Sequence, residues 1–224
     1  MAGVDGRLTR GTLLKTAGAA AAAVGLGTLG GRSDDAFAGD SVSCILTPEQ
    51  TEGPYYIAKE KLRRNITDGR PGTPLTLRLA VVDARTCRPI KGAVVDIWHC
   101  DASGIYSGFG AGRASRTFMR GLQRTNAQGI ATFKTVYPGW YQGRTVHIHV
   151  KVHVRGNVVH TGQLYFPDSL TDAVYRRAPY SARPSRDMRN ADDMIFANEG
   201  KRSLLSLRRN RAGYVGSIRM GVRR

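Results

Sequence analysis

The chain has 224 residues, 41% of them hydrophobic, which fits one globular domain and excludes a disordered or membrane-embedded chain. Lys and Arg number 34 against 17 Asp and Glu, a formal net charge of +17. Such a charge can indicate nucleic-acid binding, but the arginines are scattered and no helix-turn-helix, zinc-finger or RNA-recognition pattern accompanies them. We therefore expect a basic solvated surface, no nucleic-acid partner, and a field that concentrates anionic molecules.

Residues 1–38 have the pattern of an export signal. The positive region contains Arg7, Arg10 and Lys15. An apolar stretch at 16–29 follows, and Ala36-Phe37-Ala38 offers a small-x-small cleavage site. The stretch is short and alanine-rich for a membrane span, which favours a cleaved signal over the alternative of an N-terminal anchor helix. We expect a secreted protein without stable membrane association after cleavage.

The export route is left open by the positive region. Thr9-Arg10-Gly11-Thr12-Leu13-Leu14-Lys15 resembles a twin-arginine signal, but Gly11 stands where the second arginine should be. Export of a protein that is already folded would fit the twin-arginine route. The missing arginine keeps the ordinary secretory route as an alternative.

After an irregular arm at 39–72, the domain at 73–224 is typical of short strands separated by turns. The predicted strands are Leu75–Asp83, Ala93–Trp98, Leu122–Thr125, Ile130–Val136, Thr145–Val154, Val158–Phe166 and Gly213–Val222. No strong helical period occurs in residues 73–166, and residues 167–213 predict a long polar excursion with a helical turn or two. We predict an all-β protein, an antiparallel β-sandwich with long loop excursions.

The three cysteines all follow the export signal, where an oxidising compartment permits a disulfide. Cys87 and Cys100 flank the predicted strand Ala93–Trp98, and a strand of six to eight residues spans roughly 20–26 Å. A disulfide requires Cα atoms within about 7 Å. We therefore expect a disulfide between Cys44 and Cys100, with Cys87 unpaired.

The motif with the clearest chemistry is His147-Ile148-His149 in a predicted strand. Alternate residues of a strand share a face, so the two imidazoles can bind one metal ion. A cupin would place a glutamate shortly after the pair, and none occurs before Glu199. A copper–zinc superoxide dismutase needs more histidines than the five here can supply, and no Asp or Glu stands near enough for a 2-His-1-carboxylate iron site.

Two tyrosines complete a different donor set. Tyr141 precedes His147 by six residues, and Tyr106 follows the predicted strand that ends at Trp98. Phenolate oxygens stabilise iron(III), a hard cation. The alternative is that both tyrosines are ordinary buried residues with hydrogen-bonded hydroxyl groups.

With these residues in place, the sequence resembles the intradiol ring-cleavage dioxygenases, in particular a single-domain secreted actinobacterial branch related to protocatechuate and catechol dioxygenases. The resemblance runs from about residue 47 to residue 165. Its anchors are Thr47–Tyr56, Val95–Trp98, Gly104-Ile105-Tyr106, Arg124–Gly129, Pro138–Tyr141 and Arg144–His149. The order of so many motifs makes the match specific.

The resemblance implies a set of site residues. Four of them would bind Fe(III): Tyr106, Tyr141, His147 and His149. Arg144 would stabilise the electron-rich substrate, Gln163 would line the pocket, and Pro54 and Tyr55 would belong to an arm that closes over it. Gly143 departs from protocatechuate-cleaving relatives, which tend to carry a bulky aromatic residue there.

The resemblance further implies the reaction. A catechol-type substrate would bind iron(III) through both oxygens, Tyr141 would leave the metal and accept a proton, and O2 would cleave the ring between the hydroxyl-bearing carbons. The product would be a muconate-type diacid, formed without an organic cofactor. The rival hypothesis is a non-catalytic secreted β-sandwich that binds aromatics or a partner surface, which would hold no stoichiometric iron.

Overall fold

The computed structural model describes residues 45–58, 60–110 and 115–223. Eight strands form two four-stranded sheets packed around one hydrophobic core. The strands are β1 (Pro74–Asp83), β2 (Val94–Trp98), β3 (Arg120–Arg124), β4 (Ile130–Val136), β5 (His147–Val154), β6 (Asn157–Tyr165), β7 (Ser206–Arg209) and β8 (Tyr214–Val222). The first sheet has the order β4-β1-β8-β7 and the second the order β3-β2-β5-β6.

The predicted β-sandwich is confirmed, and each predicted strand occurs within two residues of its expected bounds. One pair departs from the antiparallel prediction, because β1 and β8 run parallel and make the first sheet mixed. Strand β7, which forms the exposed edge of that sheet, was not predicted. Its arginine-rich sequence lacks the apolar alternation that marks a half-buried strand.

Strand β5 carries the residues that matter most for function. It pairs with β6 through a two-residue hairpin turn in which Arg155 (φ 53°) and Gly156 (φ 88°) both have positive φ. This is the turn geometry that matches the right-handed twist of paired strands. Ile148, Val150 and Val152 point into the core. The alternate residues therefore face outward from the sandwich.

The N-terminal arm crosses that outward face. Its backbone bonds first to β6, where the Gln50 amide donates to the Thr161 carbonyl (2.9 Å), and later to β3, where the Arg63 amide donates to the Leu122 carbonyl (3.0 Å). The face beneath is buried although it carries polar side chains, including Asp96 of β2. The arm thus creates a second buried layer that is rich in titratable groups.

The excursion between β6 and β7 holds the helical turns that the sequence predicted. Helix α1 spans Asp168–Tyr175 and helix α2 spans Met194–Ala197, with 3₁₀ turns at Tyr180–Ala182, Asn190–Asp192 and Gly200–Ser203. Asp193 is the N-cap of α2 and accepts hydrogen bonds from the Ile195 and Phe196 amides. In the described part of the chain, no helix is long and apolar enough to cross a membrane.

The cysteine prediction is wrong. Cys87 is disulfide-bonded, and Cys100 is a free, buried thiol whose Sγ donates to the Gly139 carbonyl (3.3 Å). The remaining cysteine, Cys44, lies outside the described residues, as does the export signal at 1–38. Cys87 and Cys100 are not bonded to each other, as the length of the strand between them predicted. The bonded cysteine, however, is Cys87 and not Cys100.

Candidate metal centre

Two histidines of β5 bring their ring nitrogens together beneath the arm. The Nε2 atoms of His147 and His149 lie 3.1 Å apart, and both rings are buried. The Nδ1 atom of His147 donates to the Thr145 carbonyl (2.7 Å), so its Nε2 carries the lone pair. Burial, reinforced by the charge of Arg144, lowers the pKa of His147 to about 3. Burial and the neighbouring His147 lower the pKa of His149 well below its usual value, so both rings are neutral and able to bind a metal ion.

Two tyrosines approach the same point. The Tyr141 hydroxyl lies 3.2 Å from the Nε2 of His147, and the Tyr106 ring lies 5.6 Å from the Tyr141 ring and 6.3 Å from the His149 ring. The Tyr106 hydroxyl is buried and has no hydrogen-bond partner among the described residues. Burial raises the pKa of Tyr141 to about 12 and that of Tyr106 well above its usual value. A phenolate at either position therefore needs a nearby cation.

A tight turn after β2 places Tyr106 beside Tyr141. The Asp101 carboxylate accepts the Ser103 and Ile105 amides at 2.8 and 3.0 Å. Gly104 has φ +79°, and a Cβ there would lie 2.2 Å from the Trp140 carbonyl oxygen. The turn can approach the Tyr141 segment this closely only because glycine has no side chain.

The four side chains fit a metal ion. No group of three or more His, Cys, Asp or Glu side chains in the described part of the chain could hold one, so a metal here needs tyrosine. The converging His147 and His149 nitrogens and the unpartnered Tyr106 hydroxyl are the features that a bound cation would satisfy. Phenolate oxygen and neutral imidazole together suit ferric iron.

Arg144 lies beside this cluster in a fixed orientation. Its Nε donates to Asp193 Oδ2 (2.8 Å) and its Nη2 donates to Gln163 Oε1 (2.6 Å). The Nε2 of Gln163 donates in turn to the Thr51 carbonyl of the arm (3.1 Å). Gln163 also pairs with His149 across the β5–β6 ladder, so the arginine, the arm and a histidine of the cluster share one buried glutamine.

Aromatic rings line the cluster on the arm side. Tyr55 stacks on Tyr106 with centroids 4.2 Å apart and contacts the edge of Tyr141 at 5.9 Å. Trp98, which pairs with His149 across the β2–β5 ladder, stacks flat on it at 4.9 Å. These contacts surround the candidate metal-binding groups with aromatic rings. Pro54 lies on the arm next to Tyr55 and is exposed.

The other histidines do not join the cluster. His99 is held by the Cys100 carbonyl (2.7 Å) and the Thr135 hydroxyl (2.8 Å), so both of its ring nitrogens already have partners. His160 is buried, and burial lowers its pKa to about 4. His153 lies further along β5 and is only half-buried.

Sequence reasoning missed Asp193, which the fold brings to Arg144 from 49 residues away. The only local signal was that of a helix N-cap, an Asp directly before the apolar Met194-Ile195-Phe196. Gly53 was also missed: a Cβ there would lie 3.1 Å from the Cε1 of His149, so the arm backbone packs directly on that ring. Neither contact leaves a pattern within a short stretch of sequence.

Gly143 has a structural reason that the sequence did not reveal. Its φ of +78° favours glycine, and a Cβ there would meet no atom within 4 Å. There is room for a side chain at this exposed position, but the backbone conformation disfavours one. The presence of glycine at position 143 is therefore explained first by the backbone turn before β5 and only second by the size of the pocket.

The β-sandwich that brings two histidines and two tyrosines to one point defines a class of proteins with a candidate site for a single metal ion. A dioxygenase family model (Dioxygenase_C) matches residues 51–176, more than half of the chain. An intradiol ring-cleavage dioxygenase from Tetranychus urticae superposes with a TM-score of 0.77 and 39% identity, covering 80% of this chain and 95% of that one. The chain belongs to the intradiol ring-cleavage dioxygenase family.

Two further relatives extend this comparison. The dioxygenase domain of a carbohydrate-binding fusion protein from Streptomyces sp. SirexAA-E superposes with a TM-score of 0.63 and 34% identity, covering 80% of this chain and 98% of that one. Catechol 1,2-dioxygenase 1 of Acinetobacter lwoffii is 33% identical over 101 residues, 42% of this chain and 32% of that protein. The chain thus spans about a third of the length of this curated relative.

Proposed function

We propose that this protein is an iron(III) intradiol dioxygenase that cleaves catechol-type rings with O2 to muconate-type diacids. The observation that carries the proposal is the convergence of His147, His149 and Tyr141 with the unpartnered hydroxyl of Tyr106. Family membership supports the reaction class, and the name of the catechol 1,2-dioxygenase relative supports the substrate class. Iron(III) bound by these four side chains would supply the Lewis acidity that favours a deprotonated catechol.

Tyr141 is suited to accept a proton from the substrate at its hydroxyl oxygen. Burial raises its pKa to about 12, so a Tyr141 phenolate without a cation beside it would take up a proton readily. The hydroxyl lies toward His147, on the side where the other donors converge. The protein thereby carries its own general base, as the sequence resemblance implied.

The residues around the cluster would bind and orient the ring. The Arg144 guanidinium, held on two sides, would stabilise negative charge that develops on the substrate. Tyr55 and Trp98 would bound the planar ring, with Pro54 on the arm nearby and Gln163 fixing Arg144. These residues extend the proposed iron site to a proposed substrate site.

We expect the range of substrates to depend on charge and space at the entrance to the proposed substrate site, near Gly143 and Arg144. Gly143 is exposed with open space around it, and Arg144 together with a net charge of +17 favours anionic groups. We expect turnover of catechol and of ring-substituted catechols such as protocatechuate or hydroxyquinol, within about two orders of magnitude in kcat/KM.

The experiment is an iron assay with O2 consumption, using catechol and ¹⁸O2. Stoichiometric iron and a muconate that carries both labelled oxygen atoms would support the proposal. Tyr106→Phe should lose iron or activity. His153→Gln, which changes a histidine on the same face of β5 outside the cluster, should retain both. An iron-free wild type that stays inactive after reconstitution with Fe(III) would contradict the proposal.

We also propose that the protein is exported. This proposal rests on the sequence of residues 1–38, with its positive region, apolar stretch and cleavage pattern. We expect these residues to direct a fused reporter enzyme out of a bacterial cell. Replacing Arg7, Arg10 and Lys15 together should abolish that export. Retention of the unaltered fusion in the cytoplasm would contradict the proposal, and blocking the twin-arginine machinery alone would distinguish the two routes.

A further inference from the structure

Three side chains of the excursion hold the loop that leads into β5. The Gly143 amide donates to Asp187 Oδ2 (3.0 Å), and the Thr145 hydroxyl donates to Asn190 Oδ1 (2.6 Å). The Thr145 amide donates to Asp193 Oδ2 (2.9 Å). The excursion is therefore attached to the one loop that carries the substrate-facing arginine.

Asp193 is the centre of this attachment. Its Oδ2 accepts from the Arg144 Nε (2.8 Å) as well as from the Thr145 amide. Its Oδ1 accepts from the Ile195 and Phe196 amides at 2.8 and 3.0 Å. The side chain is 1% exposed, so all four contacts are shielded from water.

The hydrogen bonds of Arg144 leave one nitrogen for another task. Nε is bound to Asp193 and Nη2 to Gln163, while Nη1 has no acceptor among the described residues. A guanidinium is planar and presents its donors in a fixed fork. Two bonds made on different nitrogens therefore set the direction of the third nitrogen.

We propose that Asp193 is a positioning residue, which holds the Arg144 guanidinium so that its Nη1 is directed to the substrate. The inference rests on the proposed function in that it assigns Arg144 to the substrate. It adds that the excursion, through a single carboxylate, fixes both the plane of the arginine and the backbone of Thr145. The same carboxylate begins helix α2, so the helix and the arginine are oriented together.

The test compares Asp193→Ser and Asp193→Asn with the neighbouring Asp192→Ser. Serine and asparagine are both good N-caps, so α2 keeps its cap while the ion pair with Arg144 is lost. Asp192 is exposed, and its substitution by serine changes the net charge equally. For both Asp193 variants we expect kcat/KM with catechol to fall by about tenfold or more, and for Asp192→Ser to stay within about twofold.

A double-mutant cycle separates positioning from general structure. In an Arg144→Met background, Asp193→Ser should have little further effect on kcat/KM, because its partner is already absent. The iron content of each variant should equal that of the wild type. An undiminished tenfold effect in the Arg144→Met background would overturn the proposal, as would full activity of both Asp193 variants.

A second readout uses the metal-free protein and needs no turnover. In ¹⁵N NMR spectra, the Arg144 Nε–H and the Thr145 amide should exchange slowly with solvent in the wild type and in Asp192→Ser. Both should exchange at least about tenfold faster in Asp193→Ser. Unchanged exchange would overturn the positioning role. A wild type that shows slow exchange but turns over no catechol would instead contradict the proposed function and leave this contact supported.

Discussion

Two buried aspartates, one in the excursion and one under the arm, behave in opposite ways. Asp193, in the excursion, accepts four hydrogen bonds, one of them from Arg144. Although burial alone would raise its pKa, these contacts hold that pKa below its usual value. Asp96, under the arm, has an Oδ1 with no hydrogen-bond partner among the described residues, and burial raises its pKa to about 7.

This contrast shows that burial alone does not determine whether a carboxyl group is charged. Glu60 lies near Asp96 and raises its pKa further, and the hydrogen bond from Tyr56 and the charges of Lys151 and Arg120 only partly offset this. Asp193 faces one guanidinium and three backbone amides, all of which favour the anion. The excursion therefore supplies a fixed charge to the site, while the arm covers a group that can change its charge near neutral pH.

Removing a group of the candidate metal centre itself should have the largest effect. Tyr141→Phe keeps the ring that packs on Tyr55 but loses the hydroxyl that we propose as a metal ligand and base. We expect kcat with catechol to fall by at least about 100-fold, because a general base contributes about 10²–10⁴. Steady-state kinetics on iron-reconstituted protein measures this, together with loss of the tyrosinate-to-iron absorption band. A Tyr141→Phe variant within tenfold of wild-type kcat would refute the role of base.

The pH dependence of stability sharpens the comparison directly. The pKa of Asp96 is about 7 in the folded protein and about 3.9 in an unfolded chain. Between these values the native state binds a proton that the unfolded state lacks, so the free energy of unfolding falls as pH rises from about 4 to about 7. Asp96→Asn should remove this decrease, a few kcal/mol at most.

Urea denaturation of wild type and Asp96→Asn at several pH values checks this prediction. The two curves of unfolding free energy against pH should diverge between pH 5 and pH 8, with the variant relatively more stable at the higher value. Parallel curves would show that Asp96 is ionised in the native protein throughout that range.

On the arm side, the stacking of Tyr55 should affect substrate binding more than chemistry. Tyr55→Ala removes the ring that lies 4.2 Å from Tyr106 and 5.2 Å from Phe109. We expect KM for catechol to rise by about 3- to 10-fold, in line with about 0.5–1.5 kcal/mol for an aromatic pair. Tyr55→Phe keeps the ring and should stay within about twofold. Equal losses in the two variants would assign the effect to the hydroxyl instead of the ring.

The smallest expected effect is that of Tyr56→Phe. The Tyr56 hydroxyl lowers the pKa of Asp96 through a hydrogen bond, and its ring lies 3.6 Å from the Lys151 ammonium and 4.8 Å from Trp98. Phenylalanine keeps both ring contacts, so the loss of stability should be about 0.5–1.5 kcal/mol. The pH range of the Asp96 effect should move upward, since the anion loses a donor. A range that moves downward would contradict the assigned hydrogen bond.

Features that depend on neighbouring residues in the chain could be predicted from the sequence alone. Strand periodicity put His147 and His149 on one face, and their Nε2 atoms do lie 3.1 Å apart. The family resemblance implied that Tyr106 and Tyr141 join the two histidines, and the structure brings these four residues together. These relations are local or rest on whole motifs, so a single sequence carries them.

Features that join distant segments could not be predicted from the sequence and become visible only in the tertiary structure. The parallel pairing of β1 with β8, the disulfide at Cys87 and the contact of Asp193 with Arg144 each depend on how the chain returns to itself. The contrast between Asp193 and Asp96 is of the same kind, because the two residues differ in the partners that remote segments bring to them. Local propensity and periodicity act over a few residues, whereas burial and charge pairing are set by every segment that packs around a site.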